Sequence, residues 1–193
     1  MKLWLPYPNP PAVDFITPLT DLIVMSWRVY QDIHHVINEC GRQELSWLGK
    51  VVKTDEGRRS IYYISAIRLL EQRSSSVHTR LDPAAIAQVA HEWIMEEGGK
   101  DNPCRFWGHT HPGSCTEPSS QDDAQMQHFI HGKFTPPFYI RGIFSKGSQH
   151  YHGEFTLYDY QRGIKIRHMP WEVEDRTRQQ KWTRRIARRV RTS

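Results

Sequence analysis

The sequence contains little cysteine and no apolar run long enough to cross a membrane. Its most apolar stretch, Leu22–Met25, is far shorter than the roughly 20 residues of a transmembrane helix. The first residues, Met1–Pro11, lack a basic start followed by a long apolar segment, so we expect no signal peptide and no membrane span. The three cysteines form no even-numbered disulfide framework, which favours a reducing, cytoplasmic setting.

Internal repeats and low-complexity tracts are also missing. Hydrophobic residues make up 38% of the 193 residues and aromatic residues 11%, which is enough apolar surface for one folded domain and excludes intrinsic disorder. We expect an extended, proline-rich lead-in over residues 1–12, one domain over 13–172 and a basic helix over 173–193.

Positive charge is concentrated near the C-terminus. The chain has 26 Lys and Arg against 21 Asp and Glu, and eight of the basic residues lie between Arg176 and Arg191. The rest of the chain is therefore slightly acidic, and nucleic acid is not an expected partner. Three apolar residues recur at steps of four and predict a helix with one narrow apolar stripe: Trp182, Ile186 and Val190. An acidic partner or nucleic acid remains an open alternative for this segment.

Helix signals occur at three places. Thr17 as N-cap and Pro18 at the first helical position predict a helix over Pro18–Asn38, whose apolar residues recur at helical spacing. Asp82-Pro83 opens a second helix, which Gly98-Gly99 closes. A third, short helix carries Ala124, Met126, Phe129 and Ile130.

Strand-forming residues lie between these helices. Gln43–Lys53 and Ser60–Leu70, with Glu56-Gly57 as the turn, predict a β-hairpin. Further strands are predicted over Arg105–Thr110, Phe138–Ser145, Glu154–Tyr160 and Ile164–His168. This order predicts an α/β domain with a mixed central sheet flanked by helices.

Two histidines on one predicted strand suggest a metal site. His109 and His111 are two residues apart, so their side chains project from the same face of the strand. Pro112 ends the strand, and Ser119 and Asp122 follow where the next helix begins. The loop can return the Asp122 carboxylate to the same ion. Two histidines and one aspartate leave the fourth position of a tetrahedral zinc open, as in catalytic sites.

A hydrolytic zinc centre also needs a general base. Glu44 lies early in the predicted strand among apolar residues, which predicts a raised pKa suited to proton transfer. The hydroxyl of Ser119 could donate to the oxyanion of a tetrahedral intermediate. Four other glutamates are alternatives to Glu44: Glu71, Glu92, Glu96 and Glu97.

The complete pattern resembles the JAMM motif of the JAB/MPN/Mov34 metalloprotease family. It consists of Glu44, a long gap, His109-Thr110-His111-Pro112, six residues, Ser119, two residues and Asp122. The segment ELSWLG at 44–49 resembles a strand of compact prokaryotic members. The resemblance covers roughly residues 13–160 and implies the MPN fold, a single cytidine-deaminase-like domain.

The resemblance also implies roles for these residues. His109, His111 and Asp122 would bind one catalytic zinc ion, Glu44 would be the general base, and Ser119 would stabilise the oxyanion. The family cleaves peptide and isopeptide bonds, commonly after the C-terminal glycine of ubiquitin or a ubiquitin-like protein. We therefore expect a deubiquitinase-like isopeptidase in a bacterial ubiquitin-like conjugation pathway, with the conjugation enzymes as further candidate partners.

Several alternatives remain open at this point. The protein could bind zinc as a scaffold without turnover, or cleave a phage-tail peptide, a cell-wall peptide or a sulfur-carrier precursor. Cys115 in the motif loop could compete for zinc, respond to oxidation or, like Cys104, act as a protease nucleophile. A second His-x-His pair, His150 and His152, has no ligand-spaced Asp after it. Trp107 could line the active-site groove.

Overall fold

The computed structural model describes residues 21–75, 79–99, 101–130, 136–146 and 151–174. These residues form three helices and ten strands. In chain order the elements are β1 (Leu22–Met25), α1 (Trp27–Glu39), β2 (Ser46–Glu56), β3 (Arg59–Leu69), β4 (Gln72–Ser74), β5 (Thr79–Leu81), α2 (Pro83–Glu96), β6 (Cys104–His111), α3 (Ser120–Ile130), β7 (Phe138–Lys146), β8 (Tyr151–Asp159), β9 (Ile164–Ile166) and β10 (Trp171–Val173).

Eight of the strands form one mixed sheet in the order β10-β1-β3-β2-β6-β7-β8-β9. The pairs β10/β1, β1/β3 and β6/β7 are parallel, and the other neighbours are antiparallel. Strands β4 and β5 form a separate two-stranded sheet. The prediction of an α/β domain with a mixed sheet is confirmed.

Strand β6 separates two apolar clusters because alternate residues of a strand point to opposite faces. Phe106 packs in the larger cluster, together with the buried face of α1. Trp107 packs in the second cluster, with Val89 and Trp93 of α2 and Met126 of α3. His109 and His111, two and four positions after Trp107, therefore lie on the face that α2 and α3 cover.

Gly108 allows this strand to lie against a large neighbour. It pairs with Trp47 of β2, and a Cβ atom at this position would overlap the Trp47 indole nitrogen. Trp47 is fully buried in the larger cluster. A side chain at position 108 would thus displace either the indole or the strand.

The sheet curls enough to bring β1 and β3 close to the turn after β8. Arg162 in this turn donates from Nε to Asp159 Oδ2 at 2.7 Å and from Nη2 to Asp21 Oδ2 at 2.6 Å. It also donates to the Tyr62 hydroxyl of β3 at 3.1 Å. Both carboxylates are buried, and buried charges are tolerated only when they are paired and hydrogen bonded. Arg162 therefore joins two distant parts of the sheet.

The helix predicted over Pro18–Asn38 is wrong in its first part. Leu22–Met25 forms strand β1, and α1 begins at Trp27, with the Ser26 hydroxyl accepting from the Val29 amide at 3.2 Å as N-cap. A parallel strand between two others is covered on both faces and has a continuous apolar sequence, which periodicity alone does not distinguish from helix. Thr17 and Pro18 lie outside the described residues.

The other predicted elements are present with small changes in their ends. Asp82 caps α2 by accepting from the Ala84 amide at 3.0 Å, and Gly98 and Gly99 follow the helix at positive φ. The sequence did not predict β4, β5 or β10. The lead-in over 1–12 and the basic segment from 175 onward lie outside the described residues, and β10 runs one residue beyond the domain end expected at 172.

Among the described residues, no helix is long and apolar enough to span a membrane.

We predict that Arg162→Met lowers the free energy of unfolding by about 2–3 kcal/mol, because Asp21 and Asp159 lose their shared partner. Arg28→Met is the matched control, since Arg28 is 89% exposed and its one ion pair within the described ranges is with Asp32, at 3.9 Å. The control should change stability by less than about 0.5 kcal/mol. Urea denaturation of both variants checks this, and equal effects would contradict the assigned role of Arg162.

Candidate metal centre

Strand β6 presents both histidines near its C-terminal end, where its two neighbours fix their position. His109 pairs with Ser46 of β2 on one side and with Ile143 of β7 on the other. It is fully buried, whereas the His111 side chain is 14% exposed. The Trp107 ring stacks on His109 with 4.5 Å between ring centroids and 20° between planes, which holds the imidazole in one orientation.

Helix α3 supplies the third group through its own N-terminal cap. The Ser119 hydroxyl accepts from the Asp122 amide at 3.2 Å, and Asp122 Oδ2 accepts from the Ser119 amide at 2.7 Å. This reciprocal pair is a capping box, which satisfies amides that would otherwise lack partners at a helix start. The same contacts direct the Asp122 carboxylate towards β6.

The three side chains converge on one point. His109 Nε2 lies 2.9 Å from Asp122 Oδ1, His111 Nε2 lies 3.4 Å from Asp122 Oδ2, and the two Nε2 atoms are 3.2 Å apart. Donors around a tetrahedral zinc ion, with bonds of 2.0–2.2 Å, are separated by about 3.3 Å. These residues therefore fit a metal ion, and they form a buried His-His-Asp group that could bind one.

A backbone contact sets the tautomer of His111. Its Nδ1 lies 3.1 Å from the carbonyl oxygen of Cys115. Since a carbonyl only accepts, Nδ1 carries a proton, and Nε2 is the nitrogen that faces His109 and Asp122. Loss of the Nε2 proton leaves the lone pair that a metal ion requires. Nδ1 of His109 has no hydrogen-bond partner among the described residues. For His109, the stacked Trp107 ring provides the orientation that a hydrogen bond provides for His111.

The charges of the group also suit a metal. Burial lowers the pKa of His109 in spite of the nearby Asp122, so its imidazole is neutral, as ligation requires. Burial alone would raise the pKa of Asp122, but hydrogen bonding to His109 and His111 outweighs it and holds this pKa well below its usual range. The site thus contains an ionised carboxylate beside a neutral imidazole.

His111 differs from His109 in its electrostatic surroundings. Burial again lowers its pKa, but the contacts with Asp122 and the Cys115 carbonyl outweigh this and raise it above the usual value. The charge of Glu44 contributes to the same rise. Glu44 therefore lies close enough to His111 to interact with it electrostatically.

Glu44 is placed by the backbone just before β2, not within the strand as predicted. It is half-buried, and its amide donates to the carbonyl oxygen of Ser75, which follows β4, at 2.8 Å. The alternative glutamates on α2 and at its C-cap form ion pairs away from the histidines. Glu92 pairs with Arg68, and Glu96 and Glu97 pair with Lys50. Glu71 is exposed.

The Ser119 hydroxyl has a structural contact that the sequence did not predict. It donates to Asp122 Oδ2 at 2.8 Å. A hydroxyl has one hydrogen to donate, so donation to an oxyanion requires Ser119 to release the carboxylate. In this geometry Ser119 holds the carboxylate of the candidate metal centre in place.

The remaining predicted residues lie at the edge of the centre or outside it. Cys115 is exposed, and Cys104 is buried at the start of β6, where burial raises the pKa of its thiol to about 12. Such a thiol is a poor nucleophile. His152 is exposed on β8, and His150 lies outside the described residues. Trp107 is 2% exposed, so it packs against His109 and does not form an open groove wall.

Gln72 is a residue near the site that sequence reasoning missed. Its side-chain amide accepts from the Ser46 amide at 2.7 Å and donates to the Ser46 carbonyl at 3.1 Å. The hairpin of β4 and β5 is thereby attached to the start of β2, next to Glu44. No local pattern indicates this contact, because it joins residues 26 positions apart.

We predict that Ser119→Ala lowers zinc affinity by about 10–100-fold, because the Asp122 carboxylate loses a hydrogen bond that orients it. The helix cap is lost as well, which costs about 1 kcal/mol of stability. Ser119→Thr retains the hydroxyl and serves as the control. Competition with a chromophoric chelator measures the affinity, and an unchanged value for Ser119→Ala would contradict this role.

We predict that alkylation of the native protein labels Cys115 long before Cys104, because only Cys115 is exposed and the Cys104 thiol has a raised pKa. Peptide mass spectrometry after timed iodoacetamide treatment measures the order. In urea all three cysteines should react at similar rates. Equal native rates for Cys104 and Cys115 would show that the start of β6 is open.

No family model matches this chain, and no curated protein matches its sequence. Among solved structures, the chain is similar to protein DSY2949 from Desulfitobacterium hafniense, determined in solution. The two share 15% sequence identity, and the match covers 79% of this chain and 93% of the other at a TM-score of 0.53. At this identity the likeness concerns the fold alone, and it supports a single α/β domain.

Proposed function

We propose that this protein is a zinc-dependent peptidase of JAMM type with the MPN fold. The observation that carries the proposal is the convergence of His109, His111 and Asp122 at tetrahedral spacing, with Glu44 within electrostatic range of His111. Three donors leave one coordination position for a reactant, which distinguishes catalytic from structural zinc sites. Zinc bound there would supply a Lewis acid for the scissile carbonyl and acidify the attacking water.

The chain's own residues have separate tasks in this proposal. On metal binding, His109 and His111 would give up the Nε2 protons shared with Asp122 and present Nε2 lone pairs, and Asp122 would provide the negative charge that favours a cation. Glu44 accepts the proton of the attacking water and returns it to the leaving amine. Ser119 keeps the Asp122 carboxylate turned towards the histidines. Glu44 lies within electrostatic range of His111 without belonging to the ligand group, as a general base would, and this favours an enzyme over a scaffold.

The proposed substrate is the C-terminal tail of a ubiquitin-like protein, as a precursor or as a conjugate. The hairpin of β4 and β5 beside Glu44 is short, with three residues in each strand. A small recognition element suits a compact bacterial ubiquitin-like protein better than ubiquitin itself. We propose a cytoplasmic setting within a conjugation pathway, which the three unpaired cysteines support.

We predict that the zinc-loaded protein cleaves ubiquitin-like fusion proteins and that Glu44→Gln lowers kcat by about 10²–10⁴-fold, because the proton acceptor is lost. Glu44→Gln should still bind one zinc ion, whereas Asp122→Ala should lose both zinc and activity. Glu96→Gln is the matched control, since Glu96 pairs with Lys50 on the surface of α2. A panel of fusions, assayed by release of the C-terminal partner, makes the comparison.

Full activity of Glu44→Gln would contradict the proposed mechanism. Stoichiometric zinc without cleavage of any fusion would instead favour the scaffold. Cleavage of cell-wall or phage-tail peptides, or of a sulfur-carrier precursor, would retain the chemistry and change the substrate.

A further inference from the structure

The hydroxyl of Thr110 is placed between the two histidines in sequence and beside Glu44 in space. Thr110 is 1% exposed and belongs to β6. Its backbone amide donates to the carbonyl oxygen of Leu45 at 2.8 Å, which extends the pairing of β6 beyond the start of β2. Gln43–Leu45 therefore lies along the end of the strand that carries His109 and His111.

The Thr110 side chain adds two bonds to this segment. Oγ1 accepts from the Leu45 amide at 2.9 Å and donates to the Gln43 carbonyl at 3.3 Å. One hydroxyl therefore contacts the residue before Glu44 and the residue after it. The bonds use the hydroxyl once as acceptor and once as donor, which fits its capacity.

The backbone of Glu44 itself is held from the other direction. Its amide donates at 2.8 Å to the carbonyl oxygen of Ser75, the residue after β4. The segment is thus fixed between β6 and the small hairpin. Since χ1 of a β-branched threonine is restricted, its hydroxyl provides a rigid connection between the histidine strand and the glutamate.

We propose that Thr110 is a positioning residue that fixes Glu44 relative to the metal centre through the backbone on both sides of Glu44. The inference rests on the proposed function for its catalytic consequence, but its structural part is independent of that function. General-base catalysis depends on the distance between base and attacking water, and a displacement of about 1 Å can cost roughly 10²-fold in rate.

The test compares Thr110→Val, Thr110→Ser and Thr156→Val in the full-length, zinc-loaded protein. Valine has the shape of threonine without the hydroxyl, and serine keeps the hydroxyl. Thr156 on β8 is also buried, at 4% exposure, and pairs with Arg141 of β7, away from Glu44, so Thr156→Val controls for loss of a buried hydroxyl. Three quantities are measured: zinc affinity, kcat and KM, and amide hydrogen exchange at Leu45.

Thr110→Val should accelerate exchange of the Leu45 amide by about tenfold, the effect of losing one hydrogen bond. It should lower kcat by roughly 10²-fold with KM and zinc affinity unchanged, because only the base is displaced. Thr110→Ser should restore both the exchange rate and kcat. Thr156→Val should leave the Leu45 exchange rate, kcat and KM at wild-type values.

Two results would overturn the proposal. An unchanged Leu45 exchange rate in Thr110→Val would show that the hydroxyl does not hold the segment Gln43–Leu45. A faster exchange rate with a normal kcat would show that holding this segment does not position Glu44. Should the wild type cleave no substrate at all, the proposed function fails, and Leu45 exchange alone still decides whether Thr110 holds the segment around Glu44.

Discussion

The buried carboxylate of Asp122 joins α3 to β6, and the site depends on that junction. A buried charge must be hydrogen bonded or it destabilises the fold. Asp122 meets this requirement with the Ser119 amide and hydroxyl on one oxygen and His109 on the other. The contacts that cap α3 therefore also set the distance between the carboxylate and the imidazoles. Helix capping and the candidate metal centre use the same atoms.

Strand β6 supplies the other half of this arrangement. It lies between an antiparallel and a parallel neighbour, so its histidines cannot shift along the sheet without breaking both pairings. Trp107 anchors the strand on the α2 and α3 face and stacks on His109. The pairing of Thr110 with Leu45 then brings Glu44, 65 positions before His109, to the same end of the strand. One strand thus positions the candidate ligands and the proposed base together.

The sequence predicted local features of the site better than its long-range contacts. The spacing of His109 and His111 on a strand, and of Asp122 at a helix start, follows from short-range periodicity. The sequence of strand β1 predicts helix, because a fully covered parallel strand has no alternation to detect. The roles of Thr110, Gln72 and the short strand β10 depend on pairing between distant segments, which residue type and spacing do not encode.

Zinc X-ray absorption spectroscopy of the metal-loaded protein tests the central claim most directly, because it identifies the atoms bound to the ion. The account predicts two imidazole nitrogen atoms and oxygen donors at about 2.0–2.2 Å, with no sulfur. A sulfur donor at about 2.3 Å would assign the ion to a cysteine site, such as one built on Cys115. A spectrum without imidazole scattering would contradict binding by His109 and His111.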